Sequence, residues 1–198
     1  MIEIIKKKIK IKNQKKVKKT RIVLVHTSRN IKEYITSLKY RHNGKYNKIP
    51  HYLVSKEGKI IQLLENEDST NFFNDKNYDH TSLVISLENL GWLEKEPLKN
   101  HYINWIGNIY KENIIDKKWR DYFFWQPYTK IQLDKLADLC KKLSKELTIN
   151  LECIGHNTKT NRLEAFNGII TRSNFDENQT DVSPAFDFEY FIKKLENE

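Results

Sequence analysis

Apolar runs of two lengths alternate along the chain and divide it into strand and helix candidates. Ile22 to Val25 are four consecutive aliphatic residues, the pattern of a strand buried on both faces, and they end on His26. Asn30 stands where a helix cap belongs, with Ile31, Tyr34, Ile35 and Leu38 on one face of the helix it would open. Two short apolar runs, 51–55 and 59–63, flank Glu57-Gly58 and predict a hairpin. The segment 65–80 reads as an acidic loop, and Ser82–Leu87 as a second buried strand. Thr129 caps the clearest helix, in which Leu133, Leu136, Leu139, Cys140, Leu143 and Leu147 recur near helical spacing. Leu151–Ile154 predicts a short strand ahead of His156, and 157–178 a long polar loop with one apolar patch at 168–170. A short helix over 187–195 ends the pattern. Strands alternating with helices, without repeats or a linker, predict one mixed α/β domain with a central β-sheet and flanking helices.

The region 92–126 departs from this alternation. It is rich in aromatics and predicts a hairpin, 103–110 against 114–119, turning at Lys111-Glu112-Asn113. An aromatic excursion of this kind is either a binding surface or a flap packed over the sheet.

The chain has 198 residues, enough for a sizeable core, and a formal net charge of +9. Residues 1–21 hold nine Lys and one Arg against Glu3 alone, and the remainder is balanced. Residues 1–20 are therefore an expected basic arm, preceding a domain over 21–198. Such an arm either finds a polyanion, whether nucleic acid, anionic lipid or an acidic cell-wall polymer, or is a solvated leader. It carries no nucleic-acid-binding motif, which makes nucleic acid the weaker partner. Cys140 and Cys153 sit on a helix and a strand and read as small core residues, not a bridge. No signal-peptide pattern and no membrane-length apolar window is present, so the expectation is a monomer made in the cytoplasm.

His26 and His156 each follow a short apolar run, and Asp181 lies in Thr180-Asp181-Val182-Ser183-Pro184. Two imidazoles and a carboxylate with one open position form a catalytic zinc site. Strand-end histidines also occur as hydrogen-bonded core groups, and the spacing alone leaves both readings open.

The order of motifs resembles the type-2 N-acetylmuramoyl-L-alanine amidases, whose fold is shared with peptidoglycan-recognition proteins. Val25-His26-Thr27-Ser28 is similar to their strand ending in H-H-T or V-H-x-S. His51-Tyr52-Leu53-Val54-Ser55-Lys56-Glu57-Gly58-Lys59-Ile60 resembles A-H-Y-L-I-x-x-D-G-x-I, and Thr81–Asn89 resembles N-S-I-G-I-E-L-E-N. Tyr128-Thr129 with Gln132, Ile154-Gly155-His156, and Thr180–Phe188 match the remaining pieces in order. The resemblance implies zinc held by His26, His156 and Asp181, with His51 as a scaffold residue. It implies hydrolysis of the amide between N-acetylmuramic acid and L-alanine in peptidoglycan, as in a phage endolysin acting on the cell wall after release. A non-catalytic peptidoglycan-binding module on the same fold is the alternative. Two departures bear on the choice. The family's first Glu of I-E-L-E is Ser86, which leaves Glu88 as either the general base or a cap of the following turn. The family's Lys before the last ligand is Gln179, an uncharged donor, and Arg172 is the cation nearest in sequence to replace it.

Overall fold

The computed structural model describes residues 2–9, 14–161 and 163–197. Eleven strands and four α-helices are present among them. The larger sheet contains β1 (Ile4–Lys6), β2 (Arg21–His26), β3 (Tyr52–Val54), β4 (Ile60–Gln62), β5 (Ser82–Leu87) and β11 (Gly168–Thr171), in the order β1-β4-β3-β5-β2-β11. Only the β3–β4 pair is antiparallel, so the sheet is mixed, as the alternation predicts. The central strands β2 and β5 run parallel with Val25 opposite Ser86 and His26 opposite Leu87.

Both faces of this sheet are covered. Ile22, Leu24, Leu83 and Ile85 pack against Leu136, Leu139 and Leu143 of α3 (Lys130–Leu147) and Phe191 of α4 (Phe188–Glu196). The opposite face sends Val23, Val25, Val84 and Ile170 against Phe72 and Leu163. Helix α1 (Ile31–Tyr40) begins where Asn30 accepts from the Glu33 amide, and buries Tyr34 and Leu38. Thr129 likewise accepts from the Gln132 amide at the start of α3. Cys140 and Cys153 are both free thiols.

Two expectations about secondary structure are corrected here, and the basic segment takes a defined place. Within the acidic segment, Lys76–Thr81 forms α2, capped by Asp75, which accepts from the Asn77 and Tyr78 amides. The apolar patch at 168–170 belongs to β11, paired parallel to β2, whereas the expected strand at 151–154 makes a single bridge, Cys153 to Ile169. Finally, the basic segment is docked where the structure describes it. β1 adds to β4, the Lys7 and Ile9 amides donate to Gln62 and Leu63, and Val17 donates to Glu67. Two of its lysines pair with acids of the adjoining edge, Lys8 with Glu65 and Lys16 with Asp68. Residues 10–13 of that segment lie outside the described residues.

The aromatic region forms a second sheet of its own: β6 (Trp92–Lys95), β7 (Tyr102–Ile103), β8 (Ile109–Tyr110), β9 (Ile115–Trp119) and β10 (Tyr122–Trp125), ordered β8-β7-β6-β10-β9. The expected hairpin across 111–113 does not form. Each run pairs with its other neighbour, β7 with β8 and β9 with β10, because the reversals fall at Asn104–Asn108 and at Arg120, where the backbone adopts positive φ at Gly107 and Arg120. No helix of the described residues is long and apolar enough to cross a membrane.

Candidate active site

β2 delivers His26 to the C-terminal end of the sheet, the edge at which parallel sheets bind ligands. There it enters a cleft of about 590 Å³. Asp181 enters the same cleft from the segment after β11, with its Oδ1 3.9 Å from His26 Nε2. Arg172, just past β11, flanks the carboxylate: its Nη1 lies 4.0 Å from Asp181 Oδ2 and its Nη2 3.6 Å from Asp176. The guanidinium also stands over the rings of Phe72 and Phe73. β11 and β2 are neighbours, which is why residues 146 positions apart in the chain meet here.

The imidazole is nearly buried, its side chain 5% exposed. Burial lowers the His26 pKa; the Asp181 charge opposes this and the Arg172 charge reinforces it. His26 is therefore neutral near pH 7, and its Nδ1 is buried without a hydrogen-bond partner. The turn at Asn89–Gly91 closes over the ring. Gly91 has φ +78°, and a Cβ on it would stand 2.8 Å from His26 Nε2. Glycine is required there on both counts.

The other expected site residues take different places. Glu88 is a clamp: its two carboxylate oxygens accept from the amides of Ile31 and Lys56, each at 3.1 Å, tying the start of α1 to the β3–β4 hairpin. Both carboxylate oxygens are thereby engaged by backbone amides outside the turn that follows Glu88. Gln179 does line the cleft, and its carbonyl accepts from Ser173 Oγ at 2.9 Å and from Arg120. His51 is a scaffold histidine, with Nδ1 accepting from Val84 N and Nε2 facing the Asp68 carbonyl at 2.9 Å.

His156 is exposed and outside the cleft, and its Nδ1 accepts from the Thr158 amide at 3.2 Å. Its carbonyl is held by Asn174. Among the described residues no three His, Cys, Asp or Glu side chains gather as a metal-binding group. The donor chemistry at His26 and Asp181 suits a divalent ion, and the unpartnered Nδ1 is the kind of atom such an ion would satisfy. The residues nevertheless supply two donors and not three, and the expected zinc set is not assembled in this arrangement.

Several lining residues had no local signal in the sequence. Arg29, Arg41 and Lys48 join Arg172 to make the cleft strongly cationic, and Asp181 is the one acid among its described lining residues. The lining also includes three aromatics of the second-sheet region, Trp92 on β6, Tyr122 on β10 and Trp105 in the turn between β7 and β8. Tyr34 also lines the cleft and is buried. Ser86 holds the place of the family's Glu, and its hydroxyl is buried without a partner.

With this geometry in view, residues 14–166 match the family model described as N-acetylmuramoyl-L-alanine amidase. The chain belongs to that amidase family. The match contains His26 and His156 and ends before Arg172 and Asp181. No curated protein sequence matches the chain. Solved structures share the fold. AmiD from E. coli, in complex with the substrate anhydro-N-acetylmuramic acid-L-Ala-D-gamma-Glu-L-Lys, aligns at a TM-score of 0.54 and 17% identity, over 90% of this chain. The chain spans 57% of AmiD's length. The amidase LysC from Clostridium intestinale URNW aligns at a TM-score of 0.56 and 14% identity, over 98% of each chain. A mutant endolysin from Bacillus subtilis aligns at 0.58 and 13%, over 98% of this chain and 99% of its own. At such identities the likeness is one of fold, and the mixed α/β architecture read from the sequence is the architecture of these amidases.

Proposed function

We propose that the chain hydrolyses the amide joining N-acetylmuramic acid to L-alanine in peptidoglycan, at the cleft where His26 and Asp181 meet. The observation that carries this reading is a neutral, enclosed imidazole 3.9 Å from a carboxylate, in the cleft of an amidase-family fold. Water adds across the C–N bond; the lactyl carbonyl becomes a carboxylate and the alanine nitrogen leaves as an amine. His26 offers a lone pair at the reacting centre, and Asp181 holds negative charge beside it. Arg172 supplies the fixed positive charge that Gln179 lacks, placed where an oxyanion develops. Arg41 and Lys48, which also line the cleft, suit the carboxylates of the stem peptide. Dependence on zinc, which the resemblance implies, requires a third donor beside His26 and Asp181. The docked basic segment keeps exposed lysines at the sheet edge, a surface suited to an anionic wall polymer.

Digestion of purified sacculi followed by mass spectrometry tests this. The expected products are peptides with a free L-alanine amino terminus and glycan bearing free lactyl groups. Asp181→Asn and His26→Ala should each lower the rate by at least about a hundredfold. New reducing sugar ends, or cleavage within the stem peptide, would overturn the assignment. Retention on sacculi without any bond cleavage would return the non-catalytic module.

A further inference from the structure

Exposed aromatics gathered at the mouth of a cleft, unlike single ones scattered on a surface, mark a place where ligands bind. Trp105 is 53% exposed, at the reversal between β7 and β8, and it faces the cleft. Its turn is not a loose flap. Asn104 beside it is 2% exposed; its side-chain amide donates to the Ser28 carbonyl at 2.8 Å and to Leu90 at 3.4 Å, and its Oδ1 accepts from the Asn108 amide at 2.9 Å. Ser28 lies two residues past His26, so a buried asparagine fixes the indole relative to the reacting pair.

Trp92 and Tyr122 extend the same wall. Their rings stack at 4.4 Å with planes 14° apart, and both border the cleft. Trp92 follows Gly91, whose backbone packs on His26. The far end of the sheet is tied down as well, since Arg120 donates to the Gln179 carbonyl, two residues before Asp181. The stacked Trp92–Tyr122 pair and Trp105 are therefore held at fixed positions along the cleft, whose lining also carries Arg29, Arg41, Lys48 and Arg172. An anionic peptide is drawn to those cations. A neutral, flat ring with C–H bonds on its face matches the aromatic wall, and rigid aromatics bind such rings with little loss of side-chain freedom.

We propose that Trp92, Tyr122 and Trp105 form a saccharide platform on which the pyranose rings of the glycan strand stack. The proposal rests on the amide-hydrolysis reading for its ligand, and it adds a preference for glycan-borne over sugar-poor substrate. Calorimetric titration of the purified full chain with a peptide-free β-1,4-linked N-acetylglucosamine tetramer tests the platform directly. Wild type should bind saturably, and Trp105→Ala should weaken binding by at least about tenfold. Trp105 is exposed, so its removal should leave the melting curve unchanged; Trp92→Phe, which keeps an aromatic face, should weaken binding less. On intact sacculi, Trp105→Ala should raise KM with a smaller effect on kcat, and should lower kcat/KM more than on a single-sugar muramyl peptide. Tetramer binding and KM that are unchanged in Trp105→Ala would overturn the platform even if hydrolysis stands. Tetramer binding without hydrolysis of either substrate would keep the platform and remove the amidase reading.

Discussion

The two sheets differ in what holds them. The central strands of the larger sheet are covered by apolar side chains on both faces, with Ile22, Leu24, Leu83 and Ile85 fully buried. The smaller sheet closes a modest cluster of Leu90, Leu93 and Tyr110 and leaves Trp105, Ile109, Ile115 and Phe123 exposed. The larger sheet therefore supplies stability and aims His26, while the smaller one supplies a wall. Its position depends on a few buried polar anchors: Asn89 donating to the Gln126 carbonyl at 3.0 Å, Gln126 accepting from the Leu90 amide at 2.6 Å, and Asn104.

Substitutions can break this contrast in graded steps. Leu24→Ala, deep in the larger sheet, should cost about 2–5 kcal/mol in denaturant unfolding, a large share of the stability of any domain. An equal cost from Phe123→Ala, 48% exposed on β10, would erase the distinction; the expected change there is within about 0.5 kcal/mol.

At the junction of the sheets, Gly91→Ala should lower hydrolysis by about a hundredfold, because the new methyl displaces the imidazole and strains the positive-φ turn. A variant that retains its melting temperature but loses turnover would separate the aiming of His26 from the fold itself.

Lys19 sharpens the comparison through pH. It is buried behind the larger sheet, donates to the His80 carbonyl at 3.1 Å, and is lowered by burial to a pKa of about 7, against the opposing charges of Asp68 and Asp79. The unfolded chain keeps that proton up to its ordinary value of 10.5, so between pH 7 and 10.5 the unfolded state binds more protons. Stability should therefore rise with pH across that window. Lys19→Met should flatten the rise and raise the unfolding free energy at pH 7, by a few kcal/mol at the most, as read by denaturant unfolding.

The smallest effect concerns metal. With two donors and no third gathered among the described residues, zinc content should stay below one equivalent per chain and be unchanged in His156→Ala. A full equivalent that is lost alike in His26→Ala, Asp181→Ala and His156→Ala would instead assemble the three-donor site.

Local signals account for much of the architecture. The aliphatic run ending at His26, the Asn30 and Thr129 caps and the Glu57-Gly58 hairpin each act through neighbours in the chain, and each was legible before any fold was known. Pairing was not. Whether 103–110 folds on itself or against 114–119 depends on where the backbone can reverse, and whether 168–170 is loop or strand depends on the open edge of β2 beside it. The alternation of Ser86 and Glu88 put a carboxylate near the site, but only the packed structure shows it spent on two backbone amides.

By itself, then, the sequence determined an α/β domain of the amidase kind and the strand that carries its histidine, because hydrophobic period and turn chemistry are local. The tertiary structure decided which distant groups share the cleft. It brought Arg172 and Asp181 to His26 through β11, gathered aromatic and cationic side chains around them, and left His156 at the surface, since those meetings depend on sheet order and loop anchoring that no window of residues contains.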